Sequence, residues 1–214
     1  MDEDLSIINT RTRNQKIKDF LVNNKNKIAI SLILIIIILI SFFGFKEYKY
    51  SKRKHISDKY HSTIIDYSNG KTETIKERLR EIIKEEDPTY SPLSLYFIID
   101  NDLAENSKEV NDLFDVLINK TSLDDEIKNL ILYKKGLFNA NESNESELLE
   151  ILNPLIRSNS IWKSHALYLI AEFFYDKNEN QKAKEFFEKI TLLENSNADI
   201  LKKTQIRLNR DLSD

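Results

Sequence analysis

The sequence predicts an all-α protein in two parts: a single helix able to cross a membrane near the N-terminus, and behind it a larger domain of stacked helices. Three observations predict this. Residues 28–45 form an uncharged apolar run. Beyond them, apolar residues recur at helical spacing in successive blocks of 10 to 16 residues and never alternate as a half-buried strand would. The 214 residues also include only three glycines and three prolines, too few for the tight turns of an all-β fold.

The apolar run extends from Ile28 to Phe45. At 1.5 Å per residue it measures roughly 27 Å, close to a hydrocarbon core of about 30 Å. It is longer than the apolar stretch of a secretory signal, and Phe42-Phe43-Gly44-Phe45 leads into charge rather than into a small-residue cleavage site. An uncleaved anchor is therefore expected, with Tyr48 and Tyr50 at the headgroup level. Basic residues flank it on both sides. Arg13, Lys16, Lys18, Lys25 and Lys27 precede it, and Lys46, Lys49, Lys52, Arg53, Lys54 and Lys59 follow. Five against six does not orient the helix by the positive-inside rule, so both directions stay open. The chain is thus read as a tail over 1–27, a transmembrane helix over 28–45, a basic helical stalk over 46–68 and a helical domain over 69–214.

Composition narrows the function classes. With 41% hydrophobic and 31% charged residues the chain is not disordered. It has no cysteine, which excludes disulfides, thiolate catalysis and cysteine-ligated metals. Residues 1–27 carry +2 and residues 46–60 carry +4, so the overall −3 leaves −9 on residues 61–214. An acidic domain argues against nucleic acid as a partner. Anchor and stalk make membrane lipid a partner; the stalk either rests on anionic headgroups or is a solvated helix with its usual lysines. The abundant Ile, Asn and Lys are read as compositional bias, without a prion-like or binding role for the Asn-rich loops.

Within the domain, Ile75, Leu79, Ile82 and Ile83 form one stripe, with Thr74 and Glu77 as a capping box and Asp87-Pro88 as a stop. Ser91 is expected to cap the next helix with Pro92 at its first position, carrying Leu95, Ile98, Ile99 and Leu103. Leu113, Phe114, Leu117 and Ile118 follow, then Ile127, Leu130, Ile131, Leu137 and Phe138. A helix with Leu148, Leu149 and Leu152 should kink or end at Pro154, and three more begin near Ile161, Glu179 and Asn197. Short polar breaks imply antiparallel hairpins. None of these helices is long enough to be stable alone, so they must pack on one another.

Leu167, Ile170, Ala171, Phe174, Ala183, Phe187 and Ile190 fall at relative spacings 0, 3, 4, 7, 16, 20 and 23. This resembles a tetratricopeptide repeat, in which small residues such as Ala171 and Ala183 let two helices approach closely. Thirty-five residues before Ala171 stands Gly136, with Leu132, Leu148, Leu152 and Leu155 close to the same frame, which reads as a second, degenerate repeat. Ser91 to Asn119 has the same helix-turn-helix form without the small residues. The fold class expected is therefore a tetratricopeptide-like α-solenoid behind one transmembrane helix.

Asp19-Phe20-Leu21-Val22-Asn23-Asn24-Lys25 before the anchor, Gly44-Phe45-Lys46-Glu47-Tyr48 after it, and Ala171-Glu172-Phe173-Phe174 with Asn180-Gln181-Lys182-Ala183 in the last repeat extend the resemblance. Together they are similar to the ancillary SecYEG translocon subunit family, the YfgM-type tetratricopeptide-like proteins of bacterial inner membranes. The sequence departs from the repeat pattern at Ile190, where a small residue is usual, and at Asn195-Ser196, where proline is common, and from that family in an Ile-rich anchor and in Asn178-Glu179-Asn180 where a Gly-Asp turn is usual. The resemblance implies a cytoplasmic N-terminus, a periplasmic domain, and SecYEG and a periplasmic chaperone as partners. It also implies that His165, Tyr168, Glu172 and Tyr175, with Tyr133 one repeat earlier, face a concave groove. Tyrosines suit a peptide groove, although Tyr133 and Tyr168 can equally well cover the edge of the core.

No enzyme is expected. His55, His61 and His165 are scattered, and there is no phosphate-binding glycine loop or nucleophile elbow, so no metal, cofactor or small-molecule substrate is expected. The leading expectation is a non-enzymatic adaptor at the bacterial Sec translocon that binds periplasmic chaperones or emerging polypeptides through the repeat surface. The alternatives are a cytosol-facing scaffold for another inner-membrane complex, and a regulator whose first 27 residues bind a cytosolic partner.

Overall fold

The computed structural model describes residues 2–213, with side chains over 13–213. Those residues form ten helices and no strand. The chain divides into two compact units, Met1–His55 and Ile56–Asp214.

The first unit holds α1 (Asp2–Asn23) and α2 (Lys25–Ser68) as far as His55. Between them the Asn24 side-chain amide donates to the Phe20 carbonyl at 2.9 Å, and the Asn24 carbonyl accepts from the Ile28 amide, so the helical path barely breaks. From Ile30 to Phe45 the large apolar side chains stand 45–67% exposed. In water each would forgo on the order of 1 kcal/mol or more of burial energy. Among the described residues α2 is the one helix long and apolar enough to cross a membrane, and none of its apolar window is buried as the core helix of a soluble protein would be.

The second unit begins at Ile56 rather than at residue 69, because the last turns of α2 belong to its core. Ile56 and Thr63 are buried, and Tyr60, Ile64 and Tyr67 pack on the apolar cluster below them. Lys59 meets Glu81 at 2.6 Å and Arg78 meets Asp66 at 2.7 Å, tying α2 to α3 (Ile75–Lys84). The stalk expected over 46–68 is therefore helical throughout but splits between the two units.

α4 (Tyr90–Asp100), α5 (Ser107–Asn119), α6 (Asp125–Asn139), α7 (Glu145–Arg157), α8 (Lys163–Asp176), α9 (Asn180–Thr191) and α10 (Ala198–Arg210) follow, each packed on its neighbour in sequence. They build two cores. Ile75, Leu79, Ile83, Leu95, Ile98, Phe114, Leu117 and Ile131 make the first. Leu148, Leu152, Leu155, Leu167, Ile170, Ala171, Phe174, Ala183, Phe187 and Ile190 make the second. α6 serves both: Ile131 lies in the first core, and Tyr133 packs on the second. Ile127 and Leu137, expected in its apolar stripe, face outward at 41% and 46% exposure. The buried face of α6 instead carries Ile131, Gly136 and Asn139. A Cβ on Gly136 would lie 2.5 Å from a methyl carbon of Leu152, so glycine is what lets α6 approach α7.

Several helix ends differ from the sequence reading. Thr74 has φ −117° and ψ 4°, not the extended backbone that folds a side chain over the first turn, and the expected capping box is absent. Ser91 is buried and donates to the Ile82 carbonyl at 3.0 Å, which also accepts from the Glu85 amide at the end of α3. The cap of α4 is the Asp87 carboxylate, which accepts from the Thr89 and Tyr90 amides at 2.9 and 2.8 Å; Pro92 sits third in the helix rather than first. Pro154 neither ends nor closes α7, which continues to Arg157. Pro154 and Glu150 are both exposed, so water can satisfy the carbonyl that proline leaves unpaired. The asparagines have work: Asn106, Asn144 and Asn197 accept amide hydrogens at the starts of α5, α7 and α10, with a full capping box between Asn144 and Glu147.

Candidate functional site

The five residues proposed for a groove sit on α6 and α8, and α8 in turn meets α10. All five are partly buried. They fall into two groups.

In the first, Tyr133 of α6 stacks on Trp162 with ring centroids 5.9 Å apart and planes 18° apart. His165 of α8 stands edge-on to Tyr133 at 5.7 Å and lies 5.1 Å from the Trp162 ring. Trp162 thus sits at the junction of α6 and α8. Burial raises the pKa of Tyr133 and lowers that of His165, favouring the neutral imidazole.

In the second, Arg207 of α10 forms a two-pronged bond to Glu172 of α8, with Nε to Oε1 at 2.9 Å and Nη2 to Oε2 at 2.7 Å. The same guanidinium lies 4.6 Å from the Tyr175 ring centroid and donates from Nη1 to Asp211 at 3.0 Å. Arg210 makes two further bonds to Asp211. Tyr168 packs on Phe187 of α9, and burial, with the Glu172 carboxylate beside it, pushes its hydroxyl up to about 12. Asp211 is pulled down to about 2, first by Arg210 and then by Arg207. Glu172 and Tyr175 are therefore engaged by the protein's own last helix, and Tyr168 by α9.

The repeat-packing residues Gly136, Leu167, Ile170, Ala171, Phe174, Ala183 and Phe187 are all buried. Arg207 and Asp211 escaped the sequence reading. A signal for Arg207 existed: a basic residue 35 positions after an acidic one. Two other contacts share nearly that offset. Ser160 donates to Glu126 across 34 positions at 2.7 Å, and the Asn197 amide donates to Ser164 across 33 positions at 3.3 Å. Also missed was the reciprocal amide pair Asn111 and Asn139, 2.8 Å in both directions, which joins α5 to α6.

Of the scattered histidines, His61 packs against the rings of Tyr60 and Tyr90. Among the described residues no three of His, Asp and Glu converge as metal ligands would. No protein-family model, no curated protein and no solved structure matches this chain, so its own residues must carry the functional reading.

Proposed function

We propose that this chain is a non-enzymatic adaptor, tethered to a bacterial inner membrane by α2 beside the SecYEG translocon. In this reading residues 56–213 are a tetratricopeptide-like repeat domain on the periplasmic side. The domain binds a periplasmic chaperone or an emerging polypeptide through the surface shared by α6, α8 and α10.

The observation that carries the reading is the recurrence of side-chain contacts one period apart. Glu126 of α6 with Ser160 just before α8, Ser164 of α8 with Asn197 at the cap of α10, and Glu172 of α8 with Arg207 of α10 recur at offsets of 33 to 35 residues. Such translation of contacts along the chain is what stacked helix pairs of about 34 residues produce. Tyr133 and Tyr168, partly buried against the second core, leave aromatic surface of the kind that holds peptides at low entropic cost. Photo-crosslinkers placed at Tyr133 and Tyr168 are expected to capture translocon subunits or a periplasmic chaperone; capture of neither would sink the assignment.

A second reading is a cytosol-facing scaffold for another membrane complex, with the basic stalk held inside; five basic residues before the anchor against six after it leave both directions open. A reporter fused after Asp214 separates the two, since alkaline phosphatase is active only outside the cytosol and a fluorescent protein folds well only within it.

A further inference from the structure

Beyond the apolar run, α2 continues as a helix with a dense basic segment. Lys46, Lys49, Lys52, Arg53 and Lys54 occur within nine residues, and Glu47 is the single acidic residue from 46 to 57. All five basic side chains are exposed. At 1.5 Å per residue, Lys46 through Lys54 lie within about 14 Å of the end of the apolar run, and any tilt of the helix brings them nearer the bilayer. At 100° per residue, Lys46, Lys49 and Arg53 share an arc of about 60°, so one face carries three cations at i, i+3 and i+7. The Lys49 ammonium lies 5.2 Å from the centroid of the Phe45 ring, which bends the side chain back toward the apolar run and holds its charge at the interface. Tyr48 and Tyr50 are exposed beside it, as interfacial aromatic side chains are.

We infer that residues 46–54 form a headgroup site for anionic phospholipid in the leaflet that they adjoin. The inference rests on α2 crossing a bilayer and holds whichever side the domain occupies, so it stands apart from the proposed partners. The phosphodiester anions of the lipid are the ligand; the acyl chains lie along Phe42, Phe43 and Phe45, which are 60–62% exposed. A headgroup held in this way draws on charge close to the membrane surface, where each basic residue is worth about fivefold in association.

The test uses the full chain reconstituted in phosphatidylcholine vesicles with spin-labelled phosphatidylglycerol or, in parallel, spin-labelled phosphatidylcholine. The motionally restricted fraction of each label reports its preference for the protein. Selectivity for phosphatidylglycerol is expected in the unmodified chain. It should fall by about fivefold for each charge removed in Lys49→Gln and in the triple variant Lys46→Gln, Lys49→Gln, Lys54→Gln. It should also collapse when salt rises from about 0.1 to 1 M, as the screening length shrinks from about 10 to 3 Å. The salt arm needs no variant and shows whether the selectivity is electrostatic even if a substitution disturbs the helix, while the variants on the two flanks locate it. Equal restriction of the two lipids would overturn the proposal. So would selectivity that survives the triple variant, or that is abolished instead by Lys16→Gln, Lys25→Gln, Lys27→Gln on the other flank. Displacement by inorganic phosphate would identify a free-anion site and overturn it too.

Discussion

Arg207 grips Glu172 through two near-parallel hydrogen bonds, 2.9 and 2.7 Å long, that join the last helix to α8 across 35 residues. The paired geometry suits guanidinium and carboxylate, and lysine cannot reproduce it. Both side chains are about a quarter exposed, so solvent screens the pair in part. A double-mutant cycle of Glu172→Ala and Arg207→Ala, followed by urea unfolding, should give a coupling energy of about 1 kcal/mol. Arg207→Lys should recover less than half of it. A coupling near zero would mean that α10 is held by its apolar contacts alone.

Asp211 makes the attachment of α10 sensitive to acid. Its folded pKa, about 2, lies below the unfolded value of about 3.9, so its contribution is fully present above pH 4 and is lost as pH falls toward 2. The urea midpoint of the unmodified domain should therefore drop across that window. Asp211→Asn should start lower at neutral pH and show a shallower fall, because the charge that Arg210 and Arg207 stabilise is no longer there to be protonated.

Gly136→Ala pits helix propensity against packing. Alanine should gain about 1 kcal/mol in a helix interior, but its Cβ would fall 2.5 Å from one carbon of Leu152 and 2.9 Å from another. Leu152 is fully buried and has little room to yield, and overpacking costs about 1–3 kcal/mol. Net destabilisation is expected by thermal unfolding, with partial rescue when Leu152→Val is added. A more stable single variant would show that α6 and α7 can separate without cost.

The two kinds of helix start give contrasting outcomes. Asn144→Ala removes the acceptor of the Glu147 amide and breaks the capping box, and should cost about 1 kcal/mol. Thr74→Ala should be nearly neutral, because Thr74 makes no capping bond. Equal losses at the two sites would contradict the backbone conformation at Thr74.

Three non-glycine residues, Glu86, Asp102 and Asn178, hold left-handed backbone with φ of 56°, 51° and 59° after α3, α4 and α8. Glutamate tolerates that region worst, so Glu86→Gly should raise stability by up to about 1 kcal/mol. Asn178→Gly should gain less, since asparagine visits the region more readily. The urea midpoints of the two variants check the order.

Helix periodicity was readable from the sequence wherever one face met one core. Ile75, Leu79, Ile82 and Ile83 are all buried, as are Leu167, Ile170, Ala171 and Phe174. It misled at α6, which meets two cores and buries Gly136 and Asn139 in place of Ile127 and Leu137. The caps escaped because the same Ser, Thr and Asn side chains can bond outward, backward or not at all, and backbone angles decide which. Asn178 where a glycine is usual is explained by its φ of 59°, the conformation that glycine would supply. The clamp on Glu172 was invisible to apolar periodicity, since its only trace is a pair of opposite charges 35 positions apart. The contribution of Ile56, Tyr60 and Tyr67 to the domain core was hidden by the basic run over 46–54 and by Lys59, which made that part of α2 look like a solvated stalk.

Because α6 is the seam between the two apolar cores, cooperativity need not extend evenly through residues 56–213. Amide exchange should resolve two protected blocks, one around Leu79, Ile98 and Phe114 and one around Leu167, Phe174 and Phe187, with α6 sharing the kinetics of both. The block that carries Tyr168, Glu172 and Tyr175 can then open and close on its own clock, a local breathing motion whose rate the Arg207 bond would govern.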